Sequence, residues 1–280
     1  MSNQFIDLMI DAALQAGRAI MEVYANPIEA EAKADGSPVT MADERGEAII
    51  LDMLSTTDIP VLAEESAAAG NIPELGDRFF VVDPLDGTKE FIKRNGQFTV
   101  NIALVENGMP VAGVVFAPAL NQLFVGGADG AFEYQTNDDF TLGAKRQIEV
   151  MRDGPLHIVA SRSHGHAALG PLCEAFGVDD NVSVGSSLKF CLVARGEARL
   201  YPRFTPTCEW DTAAGQAVLA AAGGYVYGFD GKPLTYGKAE GKFYNSYFSA
   251  AADADLAKSC ADKMRELVGS EGYVENFKPR

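Results

Sequence analysis

Two aspartates three residues apart stand in the hexapeptide Asp83-Pro84-Leu85-Asp86-Gly87-Thr88, directly after the apolar run Phe79-Phe80-Val81-Val82. The run reads as a buried strand, so both carboxylates fall where a strand gives way to a turn. Pro84 denies Asp83 a helical continuation. Gly87 lets the backbone turn sharply or approach a ligand, and Thr88 sets a hydroxyl beside the acids. Close carboxylates repel, and a bound divalent cation removes that penalty. Hard cations such as Mg²⁺ take oxygen ligands, and substrate phosphates commonly complete the shell. The same six residues also suit a plain capped turn; on their own they leave both readings open.

Further polar residues with chemical potential lie elsewhere. Glu64-Glu65 ends the short apolar segment Pro60-Val61-Leu62-Ala63. On a strand these neighbours point to opposite faces, so one reaches a given site, with Glu64 preferred. Asp211, in Cys208-Glu209-Trp210-Asp211-Thr212-Ala213-Ala214-Gly215, opens a small-residue helix, where capping is the simplest role. Asp43 follows Thr40 by three residues, a capping box with Asp in place of Glu. Lys189 and Arg203 taken alone are ordinary surface charges. Ser161-Arg162-Ser163-His164 follows a strand and offers polar groups to a ligand, though a lone His164 is more often a surface residue. Gly185-Ser186-Ser187-Leu188-Lys189 lacks the spacing of a P-loop.

The elements that must position these groups fall in two blocks. Helical spacing of apolar residues predicts a helix over 4–24 and another from Thr40, with Ile49, Ile50, Met53 and Leu54 inward. Strands follow over 60–63, 79–82 and 98–105. Glu106-Asn107-Gly108 is a hairpin signal, and 111–116, 122–125 and 131–134 continue an antiparallel meander. Residues 135–154 are polar and weakly patterned, which suggests a boundary. Beyond it, strands at 157–160, 182–184 and 198–201 alternate with helices at 167–176, 188–194, 211–222 and 256–268. The chain divides on this reading into an N-terminal α+β half, 1–150, and a C-terminal α/β half, 151–280.

The 280 residues are 47% hydrophobic and 22% charged, an ordinary globular composition. The formal net charge of −16 argues against nucleic acid and anionic membrane as partners. It would repel a phosphate substrate too, unless bound cations dominate locally. Cys173, Cys191, Cys208 and Cys260 form no C-x-x-C pair and complete no zinc pattern with His164 and His166. Free thiols in a reducing cytosol are expected. Residues 1–17 lack the basic start of a signal peptide, and no apolar run approaches membrane-spanning length.

Taken together and in order, Ser37-Pro38-Val39-Thr40-Met41-Ala42-Asp43, Glu64-Glu65-Ser66, Asp83-Pro84-Leu85-Asp86-Gly87-Thr88 and Trp210-Asp211-Thr212-Ala213 resemble the inositol monophosphatase superfamily. Within it the chain is similar to the CysQ-type 3′(2′),5′-bisphosphate nucleotidases, through Phe91-Ile92-Lys93-Arg94-Asn95-Gly96, residues 98–104 and 185–194, and Leu200-Tyr201-Pro202-Arg203. The similarity is weakest over 135–155 and after Tyr236.

The resemblance implies a layered αβαβα sandwich of α/β (α+β) class with the site between its halves. It implies two or three Mg²⁺ per site: one on Glu64, Asp83 and the carbonyl of Leu85, a second on Asp83, Asp86 and Asp211. Asp43 and Thr88 would orient the attacking water, with Glu65 in support. Gly87 and Thr88 would contact the transferring phosphate. Ser186, Lys189 and Arg203 would grip the phosphate that stays; Ser161 and His164, placed after a strand, could cradle the adenosine or its phosphate. The implied reaction is Mg²⁺-dependent removal of the 3′-phosphate from adenosine 3′,5′-bisphosphate, with 3′-phosphoadenylyl sulfate as a further substrate and lithium as an inhibitor. Hydrolysis of inositol monophosphate or fructose 1,6-bisphosphate, or non-catalytic metal or nucleotide sensing, are the rival readings. A cytoplasmic setting goes with this, while oligomeric state and loose association with the cytoplasmic face of the inner membrane stay open.

Overall fold

The computed structural model describes residues 5–32, 38–161, 166–239 and 242–269. Two helices, α1 (Ile6–Tyr24) and α2 (Met41–Leu54), form the first layer, with the ribbon β1 (Ala30–Ala32) and β2 (Pro38–Thr40) between them. The second layer is a seven-stranded sheet whose spatial order is its chain order. It comprises β3 (Val61–Ala63), β4 (Arg78–Asp86), β5 (Thr99–Glu106), β6 (Met109–Ala117), β7 (Gln122–Gly127), β8 (Gly130–Thr136) and β9 (Leu142–Ile148). The short helices α3 (Glu64–Ala68) and α4 (Thr88–Ile92) follow β3 and β4.

Beyond residue 150 the chain lays down α5 (Leu169–Phe176), α6 (Leu188–Ala194), α7 (Ala213–Ala221) and α8 (Ala254–Val268) around a five-stranded sheet. Its strands are β10 (His157–Ser161), β11 (Asp180–Val184), β12 (Leu200–Arg203), β14 (Tyr225–Gly228) and β16 (Phe248–Ala251), ordered β11-β10-β12-β16-β14. The pair β13 (Thr207–Cys208) and β15 (Tyr244–Asn245) stands apart.

Strand alternation builds the layers. Phe80 and Val82 pack with α1 and α2, while Phe79 and Val81 join the central core with α6 and α7. Val159 and Tyr201 face that same central core; Ile158 and Leu200 turn to the outer layer of α5 and α8. The result is the expected αβαβα sandwich. The helix α7 lies close on the first sheet: a side chain at Gly113 would start 2.5 Å from the carbonyl oxygen of Ala214. Burial of each large apolar side chain in these cores contributes about 1.5–3 kcal/mol.

Asn107 and Gly108 close the β5–β6 hairpin with φ of 50° and 76°, as their types demand. Residues 142–148 correct the sequence reading: this polar stretch is β9, an edge strand exposed through Gln147, so no apolar alternation marks it. No helix among the described residues is long and apolar enough to cross a membrane. The four cysteines are free thiols.

Candidate active site

The site starts with an irregularity in β4. Asp83 pairs with Asn101 and Asp86 with Thr99, so three steps along β4 match two along β5. In a regular strand, residues three apart face opposite ways. The extra residue is a bulge, which brings both aspartates to one side. The sequence placed a turn directly after Asp83; the strand instead runs on, bulged, to Asp86. Gly87 then takes φ of 97°, a conformation that suits glycine, and α4 begins at Thr88.

Asp211 joins them from across the sandwich. One carboxylate oxygen from each of Asp83, Asp86 and Asp211 lies within 4.8 Å of the others. The expected capping role of Asp211 is corrected: Thr212 occupies the N-cap of α7, without a side-chain cap. The Asp211 carboxylate instead accepts the Thr207 hydroxyl and the Cys208 N–H. The Thr207 hydroxyl and the Cys208 N–H, rather than the helix start, thus hold the carboxylate.

Glu64 and Glu65 also differ from expectation. They form the first turn of α3, so strand alternation does not separate them. The Glu64 carboxyl lies near enough to Asp83 to raise its pKa. The turn is held by Glu47 on α2, which sequence reasoning missed. Its buried carboxylate accepts the Glu65 N–H at 2.7 Å, the Ser66 N–H at 2.8 Å and the Ser66 hydroxyl at 2.6 Å.

One turn before Glu47, Asp43 forms the predicted capping box: its Oδ2 accepts the Thr40 N–H at 2.8 Å and hydroxyl at 2.7 Å. Its Oδ1 faces the Thr88 hydroxyl at 3.2 Å. The Leu85 carbonyl lies 3.4 Å from that same hydroxyl.

The cationic side is α6 and β12. Lys189 is 4% exposed and donates to the Ser186 carbonyl at 2.6 Å. Ser186 has φ of 50°, and its buried hydroxyl has no partner among the described residues. Arg203 donates from Nε to the Thr205 carbonyl at 3.1 Å. It lines a small cavity with Tyr201, Phe204 and His166, whose ring stacks on Phe204. The backbone of Ser161 ends β10; His164 lies outside the described residues.

Burial raises the Asp83 carboxyl well above the usual range, and Glu64, Asp86 and Asp211 add to the rise. Asp86 is pushed up to about 6, first by burial and then by Asp211, against the pull of Lys189 and Ser187. Lys189 is pushed down to about 8, by burial and then by Arg203. Asp83 and Asp86 thus resist ionisation beside the buried Lys189 and the part-buried Arg203, and the acidic cluster is one that could bind a metal ion.

Ser187 is the second residue missed by sequence reasoning. Its hydroxyl lies 3.0 Å from Asp86 Oδ2 and 2.8 Å from the Asp211 carbonyl, and accepts from Asn101 Nδ2 at 2.9 Å. A serine before a helix reads as a cap, and nothing local shows the hydroxyl turned elsewhere.

This fold and acid cluster define a class: residues 1–264 match the inositol monophosphatase family, and the chain belongs to it. Among curated proteins, the 3′(2′),5′-bisphosphate nucleotidase CysQ of Escherichia coli strain K12 is 48% identical over 235 residues, 82% of this chain and 93% of that protein. The protein of the same name from Haemophilus influenzae is 31% identical over 90% of this chain and 94% of its own. Among solved structures, CysQ from Bacteroides thetaiotaomicron superposes with a TM-score of 0.74 at 38% identity, covering 89% of this chain and 98% of that one.

Proposed function

We propose that the chain is a Mg²⁺-dependent phosphatase that removes the 3′-phosphate of adenosine 3′,5′-bisphosphate to give AMP and phosphate, with 3′-phosphoadenylyl sulfate as a second substrate. It is a 3′(2′),5′-bisphosphate nucleotidase of the inositol monophosphatase superfamily, a phosphoric monoester hydrolase. The observation that carries the reading is the meeting of Asp83, Asp86 and Asp211 within 4.8 Å, with Lys189 and Arg203 close enough to act on Asp86.

The donor set fits the metal. It is all oxygen, as Mg²⁺ requires, and its mutual repulsion calls for a counter-charge. Glu64, Asp83 and the Leu85 carbonyl would hold one ion, and Asp83, Asp86 and Asp211 another. Four carboxylates then match the charge of two Mg²⁺. When bound, Mg²⁺ neutralises the phosphoryl oxygens and acidifies the attacking water.

The protein's own groups do the positioning. The Thr88 hydroxyl donates to Asp43 Oδ1, so its lone pairs can accept a proton of the attacking water. Asp43 is itself fixed by Thr40. Glu65 backs the turn that delivers Glu64. The Gly87–Thr88 backbone approaches the transferring phosphate. Lys189 and Arg203, with the Ser186 hydroxyl, grip the phosphate that stays, and Ser161 and His164 cradle the adenosine or its phosphate. Water attacks phosphorus, the bond to the 3′ oxygen breaks, and that oxygen leaves with a proton. Charge placement supplies most of the catalysis in such transfers.

A substrate panel tests this. With Mg²⁺, kcat/KM for the 3′,5′-bisphosphate should exceed that for inositol monophosphate and fructose 1,6-bisphosphate. Preference for inositol monophosphate would reject the nucleotide assignment, and no phosphate release from any of them would favour a sensor.

A further inference from the structure

Ser187 is placed where a helix cap belongs, yet caps nothing. It occupies the N-cap of α6 with helical backbone angles and no side-chain cap bond. Its hydroxyl, 2% exposed as a residue, turns instead to the acid cluster. There it touches three elements distant in sequence: Asn101 of β5, Asp86 at the end of β4, and the carbonyl of Asp211 before α7. An amide nitrogen can only donate, so the Asn101 bond uses a lone pair of Ser187. The single hydroxyl proton is left for Asp86 or for the Asp211 carbonyl, and the charged carboxylate is the stronger acceptor. The bond to Asp86 favours its ionised form. Two residues on, Lys189 carries the charge at the same end of α6.

We propose that Ser187 is a positioning residue for the cation site: it aligns Asp86 and the Asp211 turn for metal binding and ties both to the end of α6 that carries Lys189. The inference rests on the metal-dependent reading above. Groups that orient metal ligands are typically worth about 10–100-fold in metal affinity. Uncapping of α6 is no alternative explanation for an effect of Ser187→Ala, because no cap bond exists to lose.

The test is direct Mn²⁺ binding to the purified full chain, followed by electron paramagnetic resonance of the free ion. Mn²⁺ shares the oxygen preference of Mg²⁺. Ser187→Ala should bind Mn²⁺ about tenfold more weakly, while its metal-free melting midpoint stays near that of the wild type. Ser187→Cys, of similar shape with a weaker donor, should fall between them. Lys189→Ala should raise KM for the bisphosphate and bind Mn²⁺ no more weakly than the wild type. Wild-type Mn²⁺ affinity in folded Ser187→Ala and Ser187→Cys would overturn the role of Ser187 and leave the metal site standing. A wild type that binds no Mn²⁺ would overturn the metal site itself, and the role of Ser187 with it.

Discussion

The Glu47 carboxylate accepts the backbone N–H of Glu65 at 2.7 Å, and with it the first turn of α3. Asp43, one turn earlier on α2, faces Thr88. One helix therefore fixes two edges of the site, the turn bearing Glu64 and the hydroxyl set to orient water. Glu47→Gln should lose at least one charge-assisted bond and turn a donor toward N–H groups. The expected cost is about 1–3 kcal/mol in stability and roughly 10–100-fold in kcat. Thermal melts with kinetics at saturating Mg²⁺ measure both; wild-type kcat in this variant would remove Glu47 from the positioning of Glu64.

Asp83 stands at the centre of the acids and is almost fully buried. Without a cation its ionised form is repelled by Glu64, Asp86 and Asp211. Asp83→Asn should therefore melt no lower than the wild type in chelator at neutral pH. It should lose at least about a thousandfold in kcat/KM, some 4 kcal/mol of transition-state stabilisation. An active Asp83→Asn enzyme would contradict a shared ligand at this position.

Asp86 links metal to pH. Its folded value, near 6, is raised from the ordinary 3.8. Between the two, the folded protein holds a proton that the unfolded chain has released. The stabilisation is thus complete below the lower value and lost as pH rises through the upper one. Metal-free protein should lose melting temperature between about pH 4 and 6. Mg²⁺, which selects the ionised acids, should raise the midpoint far more at pH 7.5 than at pH 5. Melts with chelator and with Mg²⁺ at both values settle this; an equal Mg²⁺ effect at the two would count against carboxylate ligation.

Lys189 sets an alkaline limit. Held down to about 8, it is cationic below that pH and neutral above it. KM for the bisphosphate should climb as pH passes 8, while KM for a nucleoside monophosphate stays flatter. Lys189→Ala should show the raised KM throughout and lose the alkaline rise. Equal changes for the two substrates would take Lys189 out of recognition of the second phosphate.

Local chemistry was legible where neighbours in sequence are neighbours in space. The Thr40–Asp43 capping box, the Asn107-Gly108 hairpin and the buried strand through Phe79, Phe80, Val81 and Val82 are of this kind. The β9 strand was not, because an exposed edge needs no apolar face. Glu64-Glu65 looked like a strand end, although Glu47, far back on α2, anchors it as a helix start. Asp211 looked like a cap because its partners, Thr207 and Cys208, precede the helix. Ser187 and Asn101 meet across 86 positions, a distance at which sequence pattern is silent.

The central claim is that these acids, once loaded with Mg²⁺, free the 3′-phosphate of adenosine 3′,5′-bisphosphate. The direct measurement is phosphate release from that substrate by protein stripped with chelator, then again after Mg²⁺ is restored, with the nucleotide product identified by chromatography. The account predicts background release without metal, full turnover with it, and AMP as product. Undiminished turnover in the stripped protein, or adenosine 3′-phosphate as the product, would contradict it.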